Sequence, residues 1–450
     1  MSNAWLRRCA GGVAVMAVLA GCGGVGGGSG QNPAGGATLS TMGFGLVDEV
    51  AQVRVDLANK AIAPDVVQVG GSTFDAQQFL SAVASGTAPD LVFLDRQLVG
   101  TYASRGTLMP LGDCIARNGV DMSQYRDAAV QEVTLDRKVY GLPEFFNNRV
   151  VLMNGAALQA AGMTSADLST KDWPALAAAA AKLTRTTPDG KLARIGFDPK
   201  IPEFLPLWAK ANGVDMISAD GRTANLDDPR LLEVLEFTLG LIQQQGGWGA
   251  FKAYRESFDF FGKENPLATD KLAAWPMEDF YLNQVANNSP QVQLLAAPFT
   301  DRRGAPIDLA TGSAWAIPTG SKHPEQACTW IKTMSDAPTW IAAAQARAEK
   351  RRADGKAFTG IYTANRKADE KIFGELVRLE GQPVFESAVA AVLKAQDSAF
   401  TLPASPAGAE FRTAWQSAVT RVLEGRQPPA AALEQAQQEA QRALDSAPGR

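Results

Sequence analysis

Few side chains in this chain could carry out covalent or metal chemistry. Histidine occurs once. It is His323, directly before Pro324, where a helix start makes it a cap or an exposed residue. One imidazole cannot build a histidine metal site, and the four cysteines lack zinc-knuckle spacing. No Gly-x-Ser-x-Gly elbow is present. The glycines after Cys22 follow no strand, so they make no phosphate loop. Glu278 and Asp279 are adjacent carboxylates, whereas a glycosidase pair is set across a cleft. What remains is recognition by hydrogen bonds and apolar faces. Its clearest setting is Ser85-Gly86-Thr87-Ala88-Pro89-Asp90-Leu91-Val92-Phe93-Leu94-Asp95. This reads as a helix end, a glycine stop, a Pro-Asp turn, a buried strand and a terminal carboxylate. A continuous apolar run suits a strand covered on both faces. In open α/β sheets ligands sit beyond the carboxyl ends of the strands. Asp95 is therefore expected either to face a binding cleft or to cap the next helix.

The elements that would position such residues follow from periodicity. Segments 38–44, 64–69 and 91–94 read as strands, and 46–61 and 75–84 as helices. That alternation predicts a parallel sheet flanked by helices. Further on, 150–154, 294–297 and 313–317 read as strands. Ala327, Trp330, Ile331 and Met334 share one helix face, which makes Trp330 a core residue. Two helices close the chain, separated by the breaker Glu424-Gly425-Arg426-Gln427-Pro428-Pro429. With 450 residues, 46% of them hydrophobic and 20% charged, the chain should hold two domain-sized cores. The net charge is −4 and Lys and Arg are scattered, which argues against a nucleic-acid partner.

The first residues are not expected to join the fold. Arg7 and Arg8 precede a short apolar run, 11–20, too short to span a membrane as a mature helix. Leu19-Ala20-Gly21-Cys22 follows and resembles the bacterial lipobox, whose cysteine is lipidated and becomes the mature N-terminus. Residues 1–21 are then a lipoprotein signal peptide. Residues 22–36, rich in glycine, form a tether with a reach of roughly 20 Å. The protein is expected to be exported and lipid-anchored at the cell membrane, facing the periplasm or the exterior. Cys114 and Cys328 remain, free to pair in that setting, although sequence does not test their geometry.

Seven segments in order carry a resemblance. They are Ser85-Gly86-Thr87-Ala88-Pro89-Asp90, the run 102–111, and Tyr140-Gly141-Leu142-Pro143 with Met153-Asn154. Trp173 in its helix, Ala211-Asn212-Gly213-Val214-Asp215 with Asp220-Gly221, and Ala316-Ile317-Pro318-Thr319-Gly320-Ser321-Lys322 follow. Ala432-Leu433-Glu434-Gln435-Ala436-Gln437 is the last. Together they resemble the family 1 extracellular solute-binding proteins of ABC importers, which include maltose-binding protein. The resemblance implies a type II two-lobe fold of the periplasmic-binding-protein kind. Each lobe would be α/β with a mainly parallel sheet. Crossings are expected near 140–143, 294–298 and 336–340. Lobe one would comprise 37–141 plus 297–337, and lobe two 142–296 plus 338–450. It further implies a monomeric receptor without metal or cofactor that binds a solute and docks on permease subunits.

For a carbohydrate, the site needs planar hydrogen-bonding groups and aromatic plates. The candidates are Phe44, Asp95, Gln97 and Trp315 in lobe one, and Glu144, Phe145 and Asn147 by the first crossing. In lobe two they are Glu203, Phe204, Trp208, Trp275, Glu278 and Asp279. Trp208 could equally be core, Trp275 could shape a turn before Pro276, and Glu144 could face solvent. Met277 and Asn147 stand where the maltose binder has tryptophan and glutamate, so maltose itself is disfavoured. A polyamine or other small polar solute is the alternative, and a secreted glycosidase the remote one.

Overall fold

The computed structural model describes residues 35–448. The signal peptide, Cys22 and most of the tether lie outside the described residues. β1 (Thr38–Met42), α1 (Glu49–Ala61), β2 (Val66–Gln68), α2 (Ala76–Ala84), β3 (Leu91–Asp95) and α3 (Arg96–Ser104) follow in turn. β1 lies between β2 and β3, all parallel. Aspartates set the helix starts: Asp48 accepts from the Ala51 N–H at 2.9 Å, and Asp75 from that of Gln78 at 2.8 Å. After α4 (Gly112–Asn118), β4 (Leu142–Pro143) ends the first pass through this lobe.

The second lobe opens with β5 (Arg149–Asn154) and continues through α5 (Ile201–Ala211), β6 (Ala274–Glu278), α6 (Phe280–Asn288) and β7 (Leu294–Pro298). Its sheet has the order β6-β5-β7 and is antiparallel, where a mainly parallel sheet was expected. The reason is topological. β6, α6 and β7 form a crossover of two like-directed strands, and β5 fills the slot between them running the other way. β8 (Ser313–Ala316) then returns to the first sheet, antiparallel to both β3 and β4, giving the order β2-β1-β3-β8-β4. Helices dominate the rest of the chain, among them α7 (Pro324–Ser335), α8 (Ala337–Ala353), α9 (Pro383–Gln396), α10 (Gly408–Leu423) and α11 (Pro429–Ser446), all but α10 started by a proline or aspartate.

Three segments pass between the lobes and run side by side. Residues 144–148 link β4 to β5, residues 299–312 link β7 to β8, and residues 361–365 lie between α8 and α9. Backbone bonds tie them: Asn147 and Thr311 exchange N–H···O bonds at 2.8 and 3.1 Å, and Phe146 N–H donates to Tyr362 O at 3.1 Å. Gly312 is required here, because a Cβ would stand 2.0 Å from the Phe145 carbonyl oxygen. α8 packs on α1, while α9 packs on β7. The third passage therefore falls after α8, later in the chain than residues 336–340.

Each lobe has its own core. Trp315, Trp330, Phe44 and Phe93 interlock beneath the first sheet, the two tryptophans edge to face at 4.8 Å. In the second lobe Trp173 stacks on Phe237 at 4.4 Å and Trp208 meets Phe299 at 4.8 Å. A disulfide joins Cys114 in α4 to Cys328 in α7. α10 touches both α3 and α5, so the C-terminal helices bridge the lobes. Gly100 permits that contact, since a Cβ there would stand 2.5 Å from the Ser405 carbonyl oxygen.

Candidate functional site

The loop from β1 to α1 frames a cavity of about 230 Å³. Phe44, Phe93, Phe145 and Ile361 supply its apolar walls, and Asp48, Arg54, Ser72 and Arg347 its polar side chains. Arg54 is carried inward by α1 and is fully buried. Its guanidinium lies 3.9 Å from the centroid of Trp340 and 5.7 and 5.8 Å from those of Phe145 and Phe44. It also forms an ion pair with Glu144. Glu144 thus faces Arg54, not solvent, and burial pushes its carboxyl up while Arg54 opposes the shift. Phe44, Glu144 and Phe145 are brought together by this one arginine.

A second cluster hangs on the same passage segment, on the lobe-two side. Arg149 at the head of β5 pairs with Glu278 at 3.2 Å and donates to the carbonyls of Asn147 and Leu309 at 2.7 and 2.9 Å. The guanidinium sits 5.2 Å from the Phe204 centroid. Phe204 is presented by a kink in α5. Pro206 has no N–H to give the helix, and Phe204 leaves helical geometry at φ −121°, ψ 26°. Lys200, in the left-handed region at φ 47°, carries its ammonium 5.0 Å from Phe204 and 5.2 Å from Trp275. Asn147, Phe204 and Glu278 therefore form one group around Arg149.

The other candidates stand apart. Asp95 caps α3, accepting from the Gln97 N–H at 3.1 Å, and pairs with Arg412 of α10 at 2.8 Å. Gln97 is half-buried beside it. Glu203 is exposed and held by Arg255. Trp208, Trp275 and Trp315, expected as ligand plates, are fully buried. Trp208 donates to the Pro199 carbonyl at 2.8 Å, Trp275 stacks on Phe260 at 5.7 Å, and Trp315 belongs to the core beneath the first sheet. Their rings are occupied by packing. Arg54, Arg149, Arg347 and Lys200 were missed by the sequence reading. An arginine inside the valine-rich run 50–55, and another heading the apolar run 150–153, were the available signals.

Buried carboxyls surround the passages. Asp279 accepts from the backbone and side-chain N–H of Asn148, both at 2.7 Å. Burial still pushes it up to about 8. Asp308 accepts from the Arg149 N–H at 2.6 Å, and burial raises it to about 7.

The family profile described as "bacterial extracellular solute-binding protein" matches residues 60–351. No match is found among the curated proteins. Among solved structures, CpMnBP1 with mannobiose bound is 24% identical, with a TM-score of 0.70, covering 90% of this chain and 99% of that one. The maltose/maltodextrin-binding domain of Bdellovibrio bacteriovorus bound to maltotriose is 20% identical, TM-score 0.68, covering 91% of this chain and all of that one (100%). The Listeria monocytogenes ABC substrate-binding protein in complex with cycloalternan is 17% identical, TM-score 0.69, covering 91% and 99%. At these identities the likeness bears on the fold, which is the two-lobe α/β fold of those proteins.

Proposed function

This chain belongs to the bacterial extracellular solute-binding proteins, and from that membership we propose that it is the lipid-anchored receptor of an ABC importer, taking a carbohydrate between its lobes. The observation that carries the reading is the passage segment 144–149. It hangs the Phe44–Arg54–Glu144–Phe145 group and the Asn147–Arg149–Phe204–Glu278 group on one short stretch. A solute touching the partly exposed members of both groups, Phe145 on one side and Asn147 and Glu278 on the other, favours the closed arrangement by its differential affinity for that state. Aromatic faces beside planar guanidinium and carboxylate groups suit the C–H faces and hydroxyls of a sugar. The similar structures bound to mannobiose, maltotriose and cycloalternan support the same class. The protein works as a monomeric binder, not an enzyme, and delivers its solute to membrane permease subunits. Its hinge is assigned to residues 144–148, 309–312 and 361–365, which keeps α8 with the first lobe and moves the expected boundary at 337/338 to the third passage.

The polyamine reading loses support because its carboxylates are engaged. Glu144 pairs with Arg54, Glu203 with Arg255, Glu278 with Arg149, and Asp279 accepts from Asn148. A thermal-shift screen tests the choice. Mannobiose or a malto-oligosaccharide is expected to raise the melting temperature. A shift by spermidine or an amino acid, with none by any saccharide, overturns the carbohydrate class. Anchoring rests on Cys22. Cys22→Ser is expected to move the protein from the membrane to the soluble fraction, and retention in the membrane would sink that reading.

A further inference from the structure

We propose that the cavity beside α1 receives an apolar ring or short alkyl group carried by the solute, so that the solute is a substituted saccharide, an aryl or alkyl glycoside. The inference rests on the reading of the interlobe region as a carbohydrate site. The cavity measures about 230 Å³. That is below the roughly 300–1,000 Å³ of sites that enclose a whole small ligand, so it is sized for one group and not for an oligosaccharide. Phe44, Phe93, Phe145 and Ile361 make its walls apolar.

The charged side chains of the lining are paired, leaving the Nε of Arg54 as the one buried donor among them without a partner. Asp48 accepts from the Ala51 N–H at 2.9 Å and pairs with Arg347 at 2.6 Å, while Arg54 pairs with Glu144. Ser72, on an exposed loop, is the remaining polar side chain. A pyranose pressed in here would bury hydroxyls with too few partners, which is unfavourable. An apolar group has no such penalty. The mouth carries the same signature: Val47 is 78% exposed and Leu46 48% exposed, adjacent on the loop into α1. Apolar side chains held in water at the lip of an apolar cavity gain when a like surface covers them. The hydroxyl-bearing part of the solute is left to the Arg149–Glu278 group.

Calorimetric titration of the full chain with matched methyl and phenyl glycosides of mannobiose and of maltose tests this. The phenyl glycoside is expected to bind about tenfold or more tighter than the methyl one. Ser72→Phe, a change on the exposed loop that plugs the cavity, is expected to bring the ratio near one by weakening the phenyl glycoside. Equal binding of methyl and phenyl glycosides by the unaltered chain overturns the inference and leaves the carbohydrate reading standing. A phenyl preference that survives Ser72→Phe also overturns it, because the group then lies elsewhere. Failure of both glycosides in both series overturns the carbohydrate reading and this inference with it.

Discussion

Arg54 lies fully buried in α1 with Glu144 as its ion-pair partner, itself fully buried. Two opposite charges out of water hold each other at their ordinary charge only while both are present. Glu144→Ala leaves a guanidinium among Phe44, Phe145 and Trp340 with no counter-ion. Its expected effect is a loss of about 3–5 kcal/mol of stability, read from urea denaturation. Replacing both residues, Arg54→Met with Glu144→Leu, is expected to recover most of that loss. If the single variant unfolds at the same urea concentration as the parent, the pair is not a structural tie. Asp95 shows the other fate of a charged residue at a strand end: Arg412 and the α3 N-terminus occupy it.

At the scale of elements, α4 and α7 are joined by Cys114–Cys328 across a sequence separation of 214 residues. Closing so long a loop removes much of the unfolded chain's freedom. In the chain-entropy account the bond is worth about 5 kcal/mol. The doubly substituted Cys114→Ser, Cys328→Ser chain is expected to lose most of that, with a lower urea midpoint and a steeper slope as the uncrosslinked unfolded chain exposes more surface. An unchanged midpoint would show the bond contributes nothing. The bond lies within the first lobe, so solute affinity is expected to survive its removal. α5 makes a different point: its Pro206 kink, unfavourable to a helix, is what turns Phe204 toward Arg149.

For the molecule as a whole, buried carboxyls flank the passages between the lobes. Burial raises Asp279 to about 8 and Asp308 to about 7 from an ordinary value of 3.8. The folded chain therefore holds protons that the unfolded chain has released. Stability contributed this way is fully present below about pH 4 and is lost as pH climbs through about 7 and 8. Glu49 works oppositely. Burial raises it, but its own backbone N–H, Lys350 and Arg347 hold it down to about 2, so its contribution is lost as pH falls below its ordinary 4.5. Stability is expected to peak near pH 4–5 and decline toward pH 8.5. Asp279→Asn is expected to flatten the alkaline decline. A flat profile from pH 5 to 8.5 in the parent chain contradicts this account.

Local signals were readable without the fold. The apolar run 91–94 became β3, and Trp330 took its place on the core face of α7, because strand and helix periods are written in neighbouring residues. Ordered motifs over most of the chain likewise implied two α/β lobes. The tertiary structure decided what depends on distant partners. Arg54 and Glu144 are 90 residues apart, and Arg126, which pairs with Asp369 beside the third passage, is 243 residues from its partner. No local pattern encodes such pairs, so Glu144 was as open to solvent as to the core. Trp208, Trp275 and Trp315 had the composition of ligand plates, yet Phe299, Phe260 and Trp330 cover them. The antiparallel second sheet has the same origin, since strand direction follows which slot β5 fills. The residues alone determined which chemistry was on offer; long-range packing chose which of them are buried in the core and which line the cavity beside α1.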